Sequence, residues 1–195
     1  MKLTKEEIKN LQRTLKSSGF DPGPIDGEWG PKTEAAYQQS QKAHDKAQPS
    51  DTNQLRTFDS RSEANIMTLV PKAQVAAREF LAAMINAGID AKIISGNRTW
   101  AEQDALFAKR PQVTKARGGY SNHNFGIAWD IGIFKGGAYL PESSLYTQAG
   151  QIGRQQGLEW GGDWKSFKDE PHFNLKTGMT IAQLRSAFLK GEAYV

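Results

Sequence analysis

The sequence predicts a multidomain chain, a small all-α piece followed by a larger α+β domain, and three observations carry that prediction. Residues 4–19 and those after Pro31 place apolar side chains at helical spacing, with a loop dense in Pro, Gly and Asp between them. Residues 45–64, "DKAQPSDTNQLRTFDSRSEA", have no period and are rich in Ser, Asp, Thr and Gln. Beyond them, helical segments and short alternating strands are interleaved. The boundaries read as 1–45 for the helical piece, 46–64 for a linker and 65–195 for the second domain.

In the first helix Thr4 is the expected N-cap, with Glu7 completing a capping box, and Ile8, Leu11 and Leu15 form the apolar stripe that ends near Gly19. "DPGPIDGEWGP" is a compact loop, and Pro31 suits the first position of a second helix whose inward face would use Ala36 and Tyr37. Ile25, Trp29 and Ala36 are the expected core. His44, at the edge of the linker, reads as a surface residue.

In the second domain Ala73, Ala77, Phe80, Leu81 and Met84 mark one face of a helix closed by Gly88. "IDAKIIS" is a buried strand, and "TWAEQDALFAKR" is a helix beginning at Thr99. "GIAWDIGIF" alternates around Asp130 and reads as a strand; "GLEW" and "HFNL" are shorter ones. "TIAQLRSAFL" is a closing helix capped by Thr180, and Trp129 and Trp160 read as core or cleft wall.

Composition excludes several chemistries. The chain has no cysteine, hence no disulfide, thiolate metal site or cysteine nucleophile. "MKLTKEEIKNLQRTLKSSGF" is charged and amphipathic, unlike a secretory leader, and no apolar run approaches the roughly 18 residues of a membrane span. The expectation is a protein made in the cytoplasm without a signal peptide or membrane insertion, and released by other means if it acts outside. Net charge is +4; residues 1–45 hold 7 basic and 7 acidic side chains, leaving 18 basic and 14 acidic in the remainder. That excess fits contact with an anionic polymer such as cell wall, and is too small and scattered to imply nucleic acid.

The three histidines focus the chemistry. His123 lies in "SNHNFGIAWD", seven positions before Asp130, and His172 lies in "KDEPHFNL". Two imidazoles and a carboxylate are a suitable set for a catalytic zinc, which takes three protein ligands and leaves one position open. A carboxylate inside an apolar strand also demands a cation or a donor, because burying it alone is costly. Spacing alone leaves the alternative that these are unrelated surface and core residues.

Residues 4–44, through Leu11-Gln12, Leu15, Gly19-Phe20, Gly23, "IDGEWGPKTEAA" and Gln41, resemble the peptidoglycan-binding domain of bacterial and phage wall hydrolases. That resemblance implies a three-helix fold and bacterial peptidoglycan as partner. "SNHNFGIAWD" resembles the Ser-x-His-(x)6-Asp motif of the metallopeptidases that include D-alanyl-D-alanine carboxypeptidases and L-alanyl-D-glutamate endopeptidases. "EWGGDWKSFKDEPHF" resembles their second motif and "SGNRTWAEQ" their upstream segment; the Trp-Gly-Gly-Asp-Trp run is most similar to the endopeptidase branch.

The resemblance implies an α+β domain with a central, mainly antiparallel sheet and Zn2+ held by His123, Asp130 and His172. Asp169 would be the catalytic base; the residues alone do not separate it from Glu170, and the family spacing favours Asp169. Arg98 would stabilise the oxyanion and bind substrate, although a surface arginine fits the sequence as well. Ser121 would orient substrate or only start its loop, and Gln103 would contact substrate, though its helix position alone would account for it. The implied protein is a monomeric phage-type endolysin that cuts the L-alanyl-D-glutamate bond after holin-type release, in the periplasm of a Gram-negative host. The alternatives are a D-alanyl-D-alanine carboxypeptidase and a catalytically inactive wall-binding protein.

Overall fold

A computed structural model describes residues 4–46 and 58–195. The elements run α1 (Lys5–Ser17), α2 (Pro31–Lys46), α3 (Ser60–Ile66), α4 (Pro71–Asn86), β1 (Ala91–Ser95) and α5 (Trp100–Ala108). After a 3-10 turn (Asn122–Phe125) come β2 (Ala128–Lys135), β3 (Ala138–Leu140), α6 (Leu145–Gln155), β4 (Leu158–Trp160), β5 (His172–Leu175) and α7 (Ile181–Lys190). No helix among the described residues is long and apolar enough to cross a membrane. The described residues group into two compact units: 4–46 with Arg98–Phe125 and Thr177–Val195, and 58–97 with Gly126–Lys176.

In the first unit α1 packs on α2 and on α7. Of the three helices expected near the N-terminus, α1 and α2 lie between residues 4 and 46. The loop joining them is tied down by Gln12, which is 1% exposed. Its amide nitrogen donates to the Asp26 carboxylate, the Glu28 carbonyl and the Thr33 hydroxyl, and its oxygen accepts from Gly27 N–H at 2.9 Å. Gly27 has φ +78°, and a side chain there would strike the Lys5 carbonyl, so only glycine fits. This polar anchor displaces one expected core residue. Trp29 is 39% exposed, with its indole N–H donating to Glu34 and its ring edge-on to Tyr37. Thr33, Ala36 and Ser40 face inward instead, and Ile25 and Tyr37 are half-buried. The side chains of Glu7, Gln41 and His44, and linker residues 47–57, lie outside the described residues.

The second unit is a five-stranded antiparallel sheet in the order β1-β2-β5-β4, with β3 paired to the far half of β2. Period-2 alternation fixes what each face carries. Trp129, Ile131 and Ile133 of β2 and Phe173 of β5 are fully buried, and Phe80 of α4 stacks on Phe173 at 4.4 Å and on Trp129 at 6.3 Å. Ala73, Ala77, Leu81 and Met84 complete the α4 face, as their spacing predicts. Register places Asp130 opposite His172 and Glu159 opposite Asn174, so the other face of the sheet gathers polar side chains.

Two helices were not legible in the sequence. Residues 60–64, assigned to the linker by composition, open α3, whose Ser62 and Ile66 are buried. Ser62 Oγ accepts from Ile93 N–H at 2.9 Å and donates to Asp59, so its hydroxyl joins α3 to β1. Helix α6 contains Gly150 and Gly153, poor helix formers that mask its period. Both are required by contact: a side chain at Gly150 would enter the Trp160 ring, and one at Gly153 would meet Phe173 at 2.7 Å.

Asp59 caps α3 through Ser62 N–H at 3.1 Å and the Ser62 hydroxyl at 2.6 Å. Partial burial would raise its carboxyl, but the Ser62 hydrogen bonds and the Lys92 charge outweigh it and hold the group below the usual range. The folded chain therefore keeps this charge to lower pH than the unfolded chain. The contribution is complete above the ordinary carboxylate value and is lost as pH falls through the depressed one. Asp59→Ala should cost about 1 kcal/mol at neutral pH. Thermal melting in a pH series should show that deficit shrinking in acid.

Candidate metal centre

The short turn Asn122–Phe125 delivers His123. Its geometry rests on Asn124, whose side-chain oxygen accepts from Gly119 and Ser121 N–H while its amide donates to the Arg98 carbonyl at 2.9 Å. Arg98 N–H donates to the His123 carbonyl at 3.1 Å, so Arg98 and the histidine turn are stitched together by backbone. Ser121 opens the turn by accepting from Asn124 N–H at 2.9 Å. Asp130 and His172 come from adjacent strands as direct register partners, with Asp130 Oδ1 at 3.2 Å from His172 Nδ1.

One ligand atom from each of His123, Asp130 and His172 lies within 4.8 Å of the other two. Zinc bonds of about 2.0–2.2 Å put tetrahedral ligand atoms about 3.3–3.6 Å apart, close to the Asp130–His172 separation. His123 and His172 are 2% and 4% exposed, so the donors are withdrawn from bulk water. Two imidazoles and one carboxylate match the donor preference of zinc, and these three residues fit a metal ion.

Asp169 precedes β5 in a turn held at both ends: its N–H donates to the Gly161 carbonyl at 3.1 Å, and its carbonyl accepts from His172 N–H at 3.1 Å. A side chain at Gly161 would strike the Asp169 carbonyl, so the glycine allows this turn to close on the strand that carries His172. Glu170 is fixed differently, its carbonyl accepting the Trp160 indole N–H at 2.7 Å. Both carboxylate residues are half-buried. Trp164 lies with its ring 4.9 Å from that of His172.

Gln103 comes from α5. It is fully buried, with its amide donating to the Ala116 carbonyl at 2.9 Å and to Thr114, and its oxygen accepting from the Arg98 guanidinium at 3.4 Å. That arrangement fits a brace for Arg98 better than the substrate contact anticipated from the sequence. Asn124 and Asn174, which meet the Arg98 carbonyl and the His172 ring, were not singled out by the sequence reading. A lone amide in a loop or strand has no spacing signature.

Residues 114–175 match the family described as D-alanyl-D-alanine carboxypeptidase, and residues 4–46 match the peptidoglycan binding domain. The two matched segments follow one another along the chain. It is 39% identical over 109 residues to the peptidoglycan L-alanyl-D-glutamate endopeptidase CwlK of Bacillus subtilis (strain 168), covering 48% of this chain and 65% of that protein. It is 35% identical over 126 residues to the L-alanyl-D-glutamate peptidase of Listeria phage A118, covering 61% of this chain and 43% of the relative. It thus spans less than two thirds of either curated relative. Among solved structures, the L-Ala D-Glu endopeptidase ChiX of Serratia marcescens aligns with a TM-score of 0.48 at 28% identity, over 62% of this chain and 90% of that one.

Proposed function

We propose that this chain is a zinc metallopeptidase that hydrolyses the L-alanyl-D-glutamate bond of peptidoglycan stem peptides, with His123, Asp130 and His172 as the metal ligands. The observation that carries the reading is that ligand atoms of these three side chains lie within 4.8 Å of one another, two of the residues buried and Asp130 half-buried. The names of the two curated relatives support the bond assigned. When bound, zinc would polarise the scissile carbonyl and make water acidic enough to attack at neutral pH. Asp169 would accept the proton of the attacking water and pass it to the leaving amine. Arg98, braced by Gln103, would donate to the carbonyl oxygen as negative charge develops there. Ser121 opens the histidine turn and stands as a further substrate contact.

Residues 1–45 would act as the wall anchor, 65–195 as the peptidase and the intervening segment as the connection. The phage relative supports a role in phage lysis, with action at the cell wall after release from the host cytoplasm. The family description of residues 114–175 keeps D-alanyl-D-alanine carboxypeptidase as the second reading. Mass analysis of purified peptidoglycan digested by the full chain decides between them. Newly exposed N-terminal D-glutamate is the expected product. Free D-alanine without it would establish the carboxypeptidase, and an unaltered wall would leave only a binding protein.

A further inference from the structure

Resting on that zinc reading, we propose that Asn174 and Glu159 are positioning residues that set the imidazole of His172 for the metal. Asn174 is 1% exposed in β5, so its amide must find partners inside the protein. Its nitrogen donates to Glu159 Oε2 at 2.9 Å and to the Leu175 carbonyl at 2.9 Å. Both are acceptors, which fixes the amide orientation by chemistry and turns Oδ1 toward His172 Nε2 at 3.3 Å. A carbonyl oxygen only accepts, so Nε2 must carry a hydrogen. A ring that ligates a metal is neutral and has only one, which would leave Nδ1, 3.2 Å from Asp130 Oδ1, as the lone-pair atom for the ion.

The sheet register makes the relay possible. Glu159 pairs with Asn174 across β4 and β5, and Asp130 pairs with His172 across β2 and β5, so all four side chains share one face. Glu159 is exposed at the outer end and Asn174 is buried at the inner one. The carboxylate thus anchors, from the solvent side, the amide that orients a metal ligand. A partner that fixes the tautomer and direction of a ligand histidine is worth roughly 10–100-fold in metal affinity.

The test is zinc affinity of the full-length protein, measured by competition with a chromogenic chelator, alongside melting of the zinc-free form. Asn174→Leu keeps the side-chain shape and removes the acceptor, so zinc should bind about 10–100-fold more weakly. The double variant Asn174→Asp, Glu159→Gln reverses the donor and acceptor of the outer bond and retains an oxygen against Nε2. It should bind zinc like the parent, whatever its melting temperature. A purely structural Asn174 would not give that rescue, because Asp cannot donate to the Leu175 carbonyl. Parent-like zinc affinity in Asn174→Leu, or a double variant as weak as that single one, would overturn the relay while leaving the zinc reading intact. A parent that binds no zinc would remove both.

Discussion

Alanine at His123 or at His172 is expected to remove zinc and hydrolysis together. Each substitution takes away one of three donors at a buried point, and the remaining two cannot close a catalytic zinc site. The loss should exceed the roughly 10–100-fold attached to changes outside the ligand shell, and bring wall lysis to background. Stability is a separate matter. His172→Ala also removes the 3.2 Å contact to Asp130, so melting of the zinc-free form is measured beside zinc content. Strong chelation of the parent provides the control, because it changes no side chain. Lysis should stop with chelator and return with added zinc, and full lysis by a metal-free sample would end the hypothesis.

The second large effect belongs to Asp169. As the proposed base it would contact water rather than metal, so Asp169→Asn should retain zinc and fold. Its rate should fall by about 10²–10⁴-fold, or roughly 3–5 kcal/mol of transition-state stabilisation. The backbone turn that holds Asp169 uses its N–H and carbonyl, both of which survive the substitution. Substrate binding should change little, since Arg98 and its Gln103 brace are untouched. Glu170→Gln should cost far less: that residue is fixed by its carbonyl to Trp160, a bond the change preserves. Hydrolysis rate and zinc content measured on both variants decide the assignment. A dead Glu170 variant beside a near-normal Asp169 variant would transfer the role to Glu170.

What the sequence made legible follows from which signals have a period or a cost. Helix α4 and strand β2 were readable because their apolar positions recur at 3.6 and 2 residues, and Asp130 stood out because a carboxylate in an apolar strand needs an explanation. The helix caps Thr99 and Thr180 were equally plain, and both form complete capping boxes. Helix α6 was hidden by glycines whose role appears only when Trp160 and Phe173 are packed against them. Helix α3 was hidden by polarity, since its stability comes from the Asp59 cap and the Ser62 bond to β1 rather than from an apolar stripe. Trp29 was expected inside because tryptophan is large and apolar, yet Gln12 holds that loop with polar bonds and leaves the indole outside.

At the candidate site, the three residues that could hold a metal were readable and the amides around them were not. Histidine and aspartate are rare enough in such company to be noticed. Asn124 and Asn174 are ordinary amides whose importance lies in which backbone groups and ring nitrogens they meet. Gln103 is fully buried with its oxygen against the Arg98 guanidinium, a placement that its position in α5 alone could not reveal.

Anomalous diffraction at the zinc edge, from crystals of the active full-length protein, tests the central claim most directly. The account predicts one peak about 2.0–2.2 Å from a nitrogen of His123, an Asp130 oxygen and His172 Nδ1. A peak held by other residues, or none at this point in protein that still hydrolyses peptidoglycan, would contradict it.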